Sequence, residues 1–251
     1  MIKSKAKYKK RLYRNLVKGS GLCSFKVVVK ETDLFVHAEK PLSDLTKELI
    51  IKFRGYIESY ISRKPAFAQT LIPWPEKGPG SPIIRDMIEA SQKAGVGPMA
   101  SVAGAIAEYV GKGLLKNSDQ IIVENGGDLF IKVSSPIIVG LYAGKSPLSM
   151  RLGIKFQPNK NPLGVCTSSG RIGHSMSMGK SDAVCVVSNS CCLADAAATA
   201  IGNLVQSEKD IQHAIGFGKK IDGVAGIVVI IGKEMGIWGN LEVVPLGTRT
   251  K

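Results

Sequence analysis

Residues 121 to 133 read IIVENGGDLFIKV, and they carry the strongest fold signal in the chain. Two apolar runs flank a polar centre that contains the adjacent glycines Gly126 and Gly127. Adjacent glycines supply the positive φ angles that a two-residue type I′ turn requires. The stretch therefore predicts a β-hairpin. Glu124, Asn125 and Asp128 beside the glycines leave open whether this turn is also a binding site.

The sequence before this hairpin predicts a second hairpin and an amphipathic helix. Residues 25 to 38 alternate as two strands joined by a polar turn. In residues 43 to 63 apolar side chains recur every four positions, and Ser43 is the expected N-cap of the helix. The proline-rich segment 65 to 82 excludes a regular element and is either a linker or part of a binding rim.

Two further helices are predicted between this loop and the central hairpin. Ser81 and Pro82 open the first helix, which Gly95 ends. The second, GPMASVAGAIAEYVGKGLL from Gly97, is rich in small residues, so another backbone or a ligand can approach it closely.

Short strands follow the central hairpin, and an apolar strand, AVCVVSN, then leads into another small-residue helix that begins near Cys191. Two strand-like runs, GIVVIIG and IWGNLEVVPL, end the chain. The order of two strands, two helices and two strands occurs twice, loosely. It predicts an α+β fold.

Composition favours a soluble globular protein of the cytoplasm. Hydrophobic residues make up 44% of the 251 positions, and no apolar run approaches the roughly 20 residues of a membrane span. The N-terminal residues MIKSKAKYKKRLYR contain no apolar stretch of the secretory kind. The five cysteines are odd in number and show no CxxC spacing, so we expect reduced structural thiols and neither a disulfide framework nor a zinc site.

Half of the net positive charge belongs to a short N-terminal segment. The formal net charge is +14, and residues 1 to 14 hold seven basic and no acidic residues. We interpret residues 1 to 14 as a basic, flexible tail and residues 15 to 251 as a single domain. Such a tail could contact RNA, but no RNP-type aromatic motif follows it, and nucleic acid is not the expected partner.

Three polar stretches could carry chemistry. The first is Glu124 to Asp128. The second, TSSGRIGH at 167 to 174, is either a flexible linker or a loop whose backbone N–H groups, Arg171 and His174 bind an anion. His174 is itself either a packing residue or part of a site. The third, ADAAATA at 194 to 200, places Asp195 and Thr199 on one helix face; Thr199 either bonds back to the helix or joins Asp195 on a Mg²⁺ ion.

Taken in order, VENGGD, TSSG and ADAAATA resemble the three sequence blocks of the ApbE superfamily of FAD:protein FMN transferases. A short, uncharacterised cytoplasmic branch of this superfamily is more similar to the chain than the transferases are. It shares ETDL at 31 to 34, VGPMASVAGAIAE at 96 to 108 and TSSGRIGHSMSMGKSDA at 167 to 183, so the resemblance covers nearly the whole chain.

The resemblance implies a duplicated T-fold-like arrangement of antiparallel sheets with paired helices and a nucleotide in the cleft. In the transferases Mg²⁺ helps to split FAD, so that FMN moves to a threonine of an acceptor protein and AMP leaves. The implied metal ligands are Asp195 and Thr199. The implied residues of the flavin nucleotide site are Asn125, Gly126, Gly127, Asp128, Thr167, Ser168, Ser169 and Gly170.

The chain departs from the transferase pattern in two places. Transferases carry a lysine in a GxxKG stretch, where this chain has GAIAEYVG with Glu108, and the DPxTG segment is replaced by GHSMSMGKSD. The cationic helper is therefore missing or replaced by Arg171 or Lys180, and the candidate catalytic residues are His174 and Arg171.

Two functions are consistent with this pattern. One is Mg²⁺-dependent processing of a flavin nucleotide, by FMN transfer or by cleavage of the FAD diphosphate. The other is a non-catalytic or differently catalytic protein that binds another phosphorylated ligand in the same cleft. The oligomeric state stays open, with a homodimer as an arrangement that open sheet edges would allow.

Overall fold

A computed structural model of the chain describes residues 21–75, 80–158, 160–170 and 178–247. These residues form eleven β-strands and five α-helices. The helices are α1 (Ser43–Arg63), α2 (Pro82–Ala94), α3 (Val102–Leu114), α4 (Cys191–Asn203) and α5 (Ile211–Gly218). The strands are β1 (Cys23–Val29), β2 (Thr32–Ala38), β3 (Ile121–Asn125), β4 (Asp128–Lys132), β5 (Ile137–Gly140), β6 (Leu152–Phe156), β7 (Leu163–Ser168), β8 (Ala183–Ser188), β9 (Val224–Ile231), β10 (Glu234–Gly239) and β11 (Glu242–Pro245). The tail predicted over residues 1 to 14 lies outside the described residues.

Eight of these strands form one antiparallel sheet, in the order β1-β2-β3-β4-β7-β8-β9-β10. Strands that are neighbours in the sheet are also neighbours in the chain, except where β4 lies beside β7. On each side of this junction the chain runs through two strands, a group of helices and two more strands. The first half carries α1, α2 and α3, and the second carries α4 and α5. The predicted α+β fold with a duplicated, T-fold-like order is confirmed.

The large sheet is covered on both faces. In β8, Val184 and Val186 belong to the core beneath the helices, whereas Cys185 and Val187 belong to a second core. The second core lies against a small sheet of order β11-β6-β5. Every residue of β8 is buried, as expected for a strand with an apolar layer on either side.

The predicted helices form, with two corrections at their N-termini. The helix predicted from Gly97 begins at Val102, because Pro98–Ser101 form a separate 3-10 turn before it. Helix α1 spans the predicted residues, but its N-cap is Leu42, because the Leu42 carbonyl already accepts from the backbone N–H of Thr46 at 2.9 Å. The prediction of Ser43 as the cap was therefore wrong by one residue. Helix α2 begins at Pro82 after Ser81, and Gly95 ends it in the left-handed conformation at φ 75°.

Strand β7 shows that the second polar stretch, 167 to 174, is not a linker at its first two residues. Thr167 pairs with Cys185 and Ser168 pairs with Val184, so both lie in the centre of the large sheet. Gly164 in the same strand has a packing role, since a Cβ atom there would lie 2.6 Å from the Cα of Cys191. The close approach of α4 to the sheet explains a glycine that resembles a loop residue in the sequence.

All five cysteines are free thiols, and four of them, Cys166, Cys185, Cys191 and Cys192, are buried between the large sheet and its neighbouring layers. Burial raises the pKa of each of these four thiols. None of the helices in the described part of the chain combines the length and apolar character needed to cross a membrane.

Candidate functional site

The turn between β3 and β4 is the predicted two-residue hairpin turn. Asn125 pairs with Asp128 across it, and Gly126 and Gly127 have φ angles of 70° and 118°. An added Cβ at Gly126 would meet no atom within 4 Å, so the space over this glycine is open. The turn is confirmed, and it leaves room for a ligand at its tip.

Asp128, directly after the turn, is a buried carboxyl group with 7% of its surface exposed. Its Oδ1 accepts a hydrogen bond from the backbone N–H of Thr167 at 3.3 Å, and the Cys166 thiol also bonds to it. Burial raises the pKa of Asp128 well above its ordinary value, and the nearby charge of Asp195 raises it further. The hydrogen bonds from Cys166 and Thr167 offset these effects only in part.

Asp195, in the second turn of α4, is the other carboxyl group of the site and is 9% exposed. Its Oδ2 accepts from the backbone N–H of Gly104 at 2.9 Å, and Ala103 donates a second backbone hydrogen bond to the same carboxylate. Burial raises the pKa of Asp195 to about 7, although these two hydrogen bonds act in the opposite direction. Asp128 and Asp195 are therefore two buried carboxyl groups, and the charge of Asp195 disfavours the charged form of Asp128.

The start of α3 joins the hairpin to α4. The side-chain amide of Asn125 donates to the carbonyl oxygen of Ala103 at 3.0 Å, and the next residue, Gly104, bonds to Asp195. Thr167, at the end of β7, is joined to the same site because its backbone N–H donates to Asp128. The three sequence blocks, far apart in the chain, thus converge on one site, with a fourth segment, Ala103 and Gly104, between them.

The remaining predicted residues lie on, or directly after, the elements that carry this centre. Thr199 lies one helical turn after Asp195 on α4 and is buried, as is Ser168 at the end of β7. Ser169 and Gly170 continue beyond β7, where the Gly170 N–H donates to the Ser181 carbonyl at 3.1 Å.

The cationic candidates are not part of the described centre. Arg171 and His174 lie outside the described residues. Lys180 is exposed, and its backbone N–H bonds to the Val205 carbonyl, beyond the C-terminal end of α4.

The described residues contain no group of three or more His, Cys, Asp and Glu side chains able to hold a metal ion. Asp195 and Thr199 nevertheless offer a carboxylate and a hydroxyl, the hard oxygen donors that Mg²⁺ prefers. The two buried carboxyl groups have raised pKa values, so a divalent cation would supply the charge that their burial opposes. The donor chemistry of the site fits Mg²⁺.

Glu108 on α3 has a role that the sequence analysis did not predict. It is 4% exposed, and its Oε2 accepts from the backbone N–H groups of Cys191 at 2.7 Å and Cys192 at 3.2 Å, the first two residues of α4. Its Oε1 accepts from the Lys112 ammonium at 2.6 Å. A signal was present in the sequence, because Glu108 lies four residues after Gly104 on a helix face of small residues, where a charge needs a buried partner.

The sheet order and the converging blocks define the class of ApbE-like proteins. The chain superposes on the flavinyl transferase ApbE of Pseudomonas stutzeri with a TM-score of 0.52 and 15% identity, over 86% of this chain and 93% of that chain. For the flavin transferase ApbE of Vibrio cholerae the TM-score is 0.55 and the identity 11%, over 88% of this chain and 97% of that chain. At these identities the likeness is one of fold.

Within this class the chain belongs to the family described as AbpE bacteria, which matches residues 14–237. It is similar to proteins designated UPF0280. The relative in Methanocella arvoryzae is 40% identical over 217 residues, which cover 86% of this chain and 88% of the relative. The relative in Methanocaldococcus jannaschii is 39% identical over 222 residues, which cover 86% of this chain and 90% of the relative.

Proposed function

We propose that the protein processes a flavin nucleotide with the help of Mg²⁺, by splitting the diphosphate of FAD. The observation that carries the proposal is the buried pair Asp128 and Asp195 beside an open glycine turn. Membership of the AbpE family and the fold shared with flavin transferases support the choice of a flavin nucleotide as substrate.

In this proposal Asp195 and Thr199 hold the cation, as the resemblance to the transferases implies. Asp195 already receives two backbone hydrogen bonds from α3, which fix the direction of its carboxylate. When bound, Mg²⁺ would neutralise phosphate oxygens and so lower the barrier to breaking the P–O bond of a diphosphate.

The nucleotide would bind against the hairpin turn and the end of β7. Gly126 leaves open space, and Asn125 is held in place by its bond to Ala103. We assign the diphosphate to the segment Thr167 to Gly170, whose hydroxyl groups can donate hydrogen bonds to phosphate oxygens.

The proposed reaction exchanges one P–O bond for another. The oxygen of an acceptor hydroxyl, from a protein threonine or from water, bonds to the phosphorus of the FMN half and loses its proton. The bond from that phosphorus to the bridging oxygen breaks, and AMP leaves with this oxygen. Arg171 and His174 remain predicted candidates for moving the proton or stabilising charge.

The free cysteines favour a reducing compartment, so we place the reaction in the cytoplasm, with an acceptor protein there if FMN is transferred. A homodimer through a sheet edge stays a prediction.

One observation favours a second candidate function, the binding of another phosphorylated ligand without FAD cleavage. Near the place where the transferases carry a lysine, this chain has Glu108, and its carboxylate is engaged by α4 and Lys112. A carboxylate there cannot assist a phosphate as a lysine would.

The test is incubation of the purified full-length chain with FAD, with and without Mg²⁺, followed by chromatography for AMP and FMN. We expect AMP release that requires the metal and is lost in Asp195→Asn, a variant that keeps a side-chain oxygen for the α3 hydrogen bonds. Flavin binding without AMP release would favour the second candidate. The absence of both would contradict a flavin function.

A further inference from the structure

Helices α3 and α4 cap each other's N-termini. The Asp195 carboxylate, on α4, accepts from Ala103 and Gly104 in the first turn of α3. The Glu108 carboxylate, on α3, accepts from Cys191 and Cys192 in the first turn of α4. Carboxylates are favourable at both places, because a helix N-terminus carries unpaired N–H groups and the positive end of the dipole.

The first turn of α4 depends on Glu108 for its hydrogen bonds. The third N–H of the helix, that of Leu193, donates to the Ser190 hydroxyl at 3.3 Å, and this hydroxyl donates to Glu108 Oε2 at 3.2 Å. The fourth, that of Ala194, bonds to the Ser190 carbonyl. Glu108 is therefore the acceptor for the first two N–H groups and also supports the N-cap residue.

The two oxygens of Glu108 have separate partners. Oε1 lies 2.6 Å from the Lys112 ammonium, one helical turn along α3, and this ammonium also lies over the Tyr109 ring at 5.4 Å from its centroid. Burial is the largest single effect on the pKa of Lys112 and acts to lower it, but the hydrogen bond and charge of Glu108, together with the charges of Asp86 and Cys192, outweigh it and the pKa is raised. Lys112 thus balances the charge of Glu108 and leaves Oε2 to the α4 N-terminus.

The contact between α3 and α4 at Gly104 links the capping of α4 to the position of Asp195. A Cβ atom at Gly104 would lie 2.8 Å from the Cβ of Asp195 and would overlap the carbonyl of Cys191. Because the two helices touch at Gly104, a shift in the first turn of α4 moves Asp195 relative to the hairpin. Any such shift also alters the Asp195 to Gly104 hydrogen bond.

We infer that Glu108 is a positioning residue for the cation site: by capping α4 it sets where the Asp195 carboxylate lies. This inference rests on the proposed function, because it assumes that Asp195 holds a divalent cation. It gives a role to the carboxylate that lies near the place where the transferases have a lysine. Glu108 acts on the site through the helix and not by contact with the ligand.

The test measures Mn²⁺ binding by electron paramagnetic resonance on the full-length chain, well below the unfolding midpoint of every variant. We expect Glu108→Ala to weaken Mn²⁺ binding by about 10-fold to 100-fold, the range seen when residues that orient metal ligands are removed. Glu108→Gln should stay within about threefold of wild type, because its amide oxygen can still accept from Cys191.

A matched control separates positioning from loss of stability. Ser118→Ala removes a buried hydroxyl that bonds to Glu39 and Gln120, at the opposite end of β3 from Asn125. It should lower stability and leave Mn²⁺ affinity unchanged. The amide proton resonance of Gly104 in the metal-free protein should shift in Glu108→Ala and stay in place in Ser118→Ala.

The outcomes distinguish this inference from the proposed function. If wild type binds Mn²⁺ and Asp195→Asn does not, while Glu108→Ala binds as wild type does, the inference is wrong and the proposed function stands. An equal loss of affinity in Glu108→Ala and Ser118→Ala would also overturn the inference. If wild type itself fails to bind Mn²⁺, the proposed function fails first.

Discussion

At the scale of single residues, the site is defined by two carboxyl groups that the fold buries together. Asp128 lies on a strand and Asp195 on a helix, and less than a tenth of the surface of each residue is exposed to solvent. Both pKa values are raised, chiefly by burial. In the metal-free protein such groups favour protonation, so protons and a divalent cation compete for the same oxygens.

This competition predicts a pH dependence of stability. The pKa of Asp195 is raised from 3.8 to about 7, so between these values the native state holds more protons than the unfolded state. The contribution of Asp195 to the free energy of unfolding is therefore fully present below pH 3.8 and is lost as the pH rises through about 7. We expect the free energy of unfolding in urea, without metal, to fall between pH 5 and pH 8, and to fall less in Asp195→Asn.

His37 makes the comparison with the variant necessary. Burial lowers the pKa of His37 below 6.5, which acts in the opposite direction near pH 6, and the difference between wild type and Asp195→Asn cancels this effect. Mg²⁺ should raise the unfolding midpoint of wild type more at pH 8 than at pH 5. An identical pH profile in the two proteins would contradict the buried state of Asp195.

At the scale of elements, α3 and α4 depend on a glycine at their contact. Gly104→Ala would place a methyl group against the Cys191 carbonyl and the Asp195 Cβ, and backbone atoms cannot move aside cheaply. We expect a loss of about 1–3 kcal/mol in the free energy of unfolding, the usual cost of overpacking, together with weaker Mn²⁺ binding. Circular dichroism in urea measures the first effect.

Gly55 in α1 provides the matched control. A Cβ atom at Gly55 would meet no atom within 4 Å, so Gly55→Ala should stabilise the protein by roughly 0.5–1 kcal/mol through helix propensity alone. If Gly104→Ala behaved in the same way, the close contact between α3 and α4 would be absent in solution.

Local signals were sufficient for most elements. The hairpin turn at Gly126 and Gly127, the bounds of α1 and the end of α2 at Gly95 follow from periodicity and turn chemistry, and the structure confirms them. Strand β7 was missed in part because Gly164 and its hydroxyl residues resemble a loop. Their environment depends on α4, which is distant in the sequence.

The candidate site was likewise predictable from the sequence only in part. The blocks around Asp128 and Asp195 were predictable from motif resemblance, and the structure brings them together. The roles of Gly104 and Glu108 were not predictable, because each depends on a contact across more than 80 residues of chain, with separations of 91 and 83 residues. Small residues in α3 indicated a close approach, without indicating to what.

At the scale of the whole molecule, the two halves share one sheet and the two cores that cover its faces. Strand β4 of the first half pairs with β7 of the second, and α4 packs against α2 and α3. The candidate site lies across this junction, since Asp128 and Asp195 belong to different halves. Separation of the halves would therefore remove the site.

This arrangement predicts that the halves unfold together. Trp74 lies in the first half and Trp238 in the second, so Trp74→Phe and Trp238→Phe each leave one fluorescent reporter. We expect each single-tryptophan protein to give the same urea midpoint by fluorescence as by circular dichroism. If one variant lost its tryptophan fluorescence signal at a lower urea concentration than its circular dichroism signal, the half that contains that tryptophan would unfold independently.

The distribution of the thiols allows the opening rate of the folded protein to be measured from thiol reactivity. Cys23 is partly accessible, whereas the other four cysteines are enclosed beside the large sheet with raised pKa values. A coloured thiol reagent should react promptly with one equivalent per chain, and the other four equivalents should appear only as molecules open. The rate of that slow release, read at several reagent concentrations without denaturant, would time the opening of the interior that holds the paired carboxyl groups.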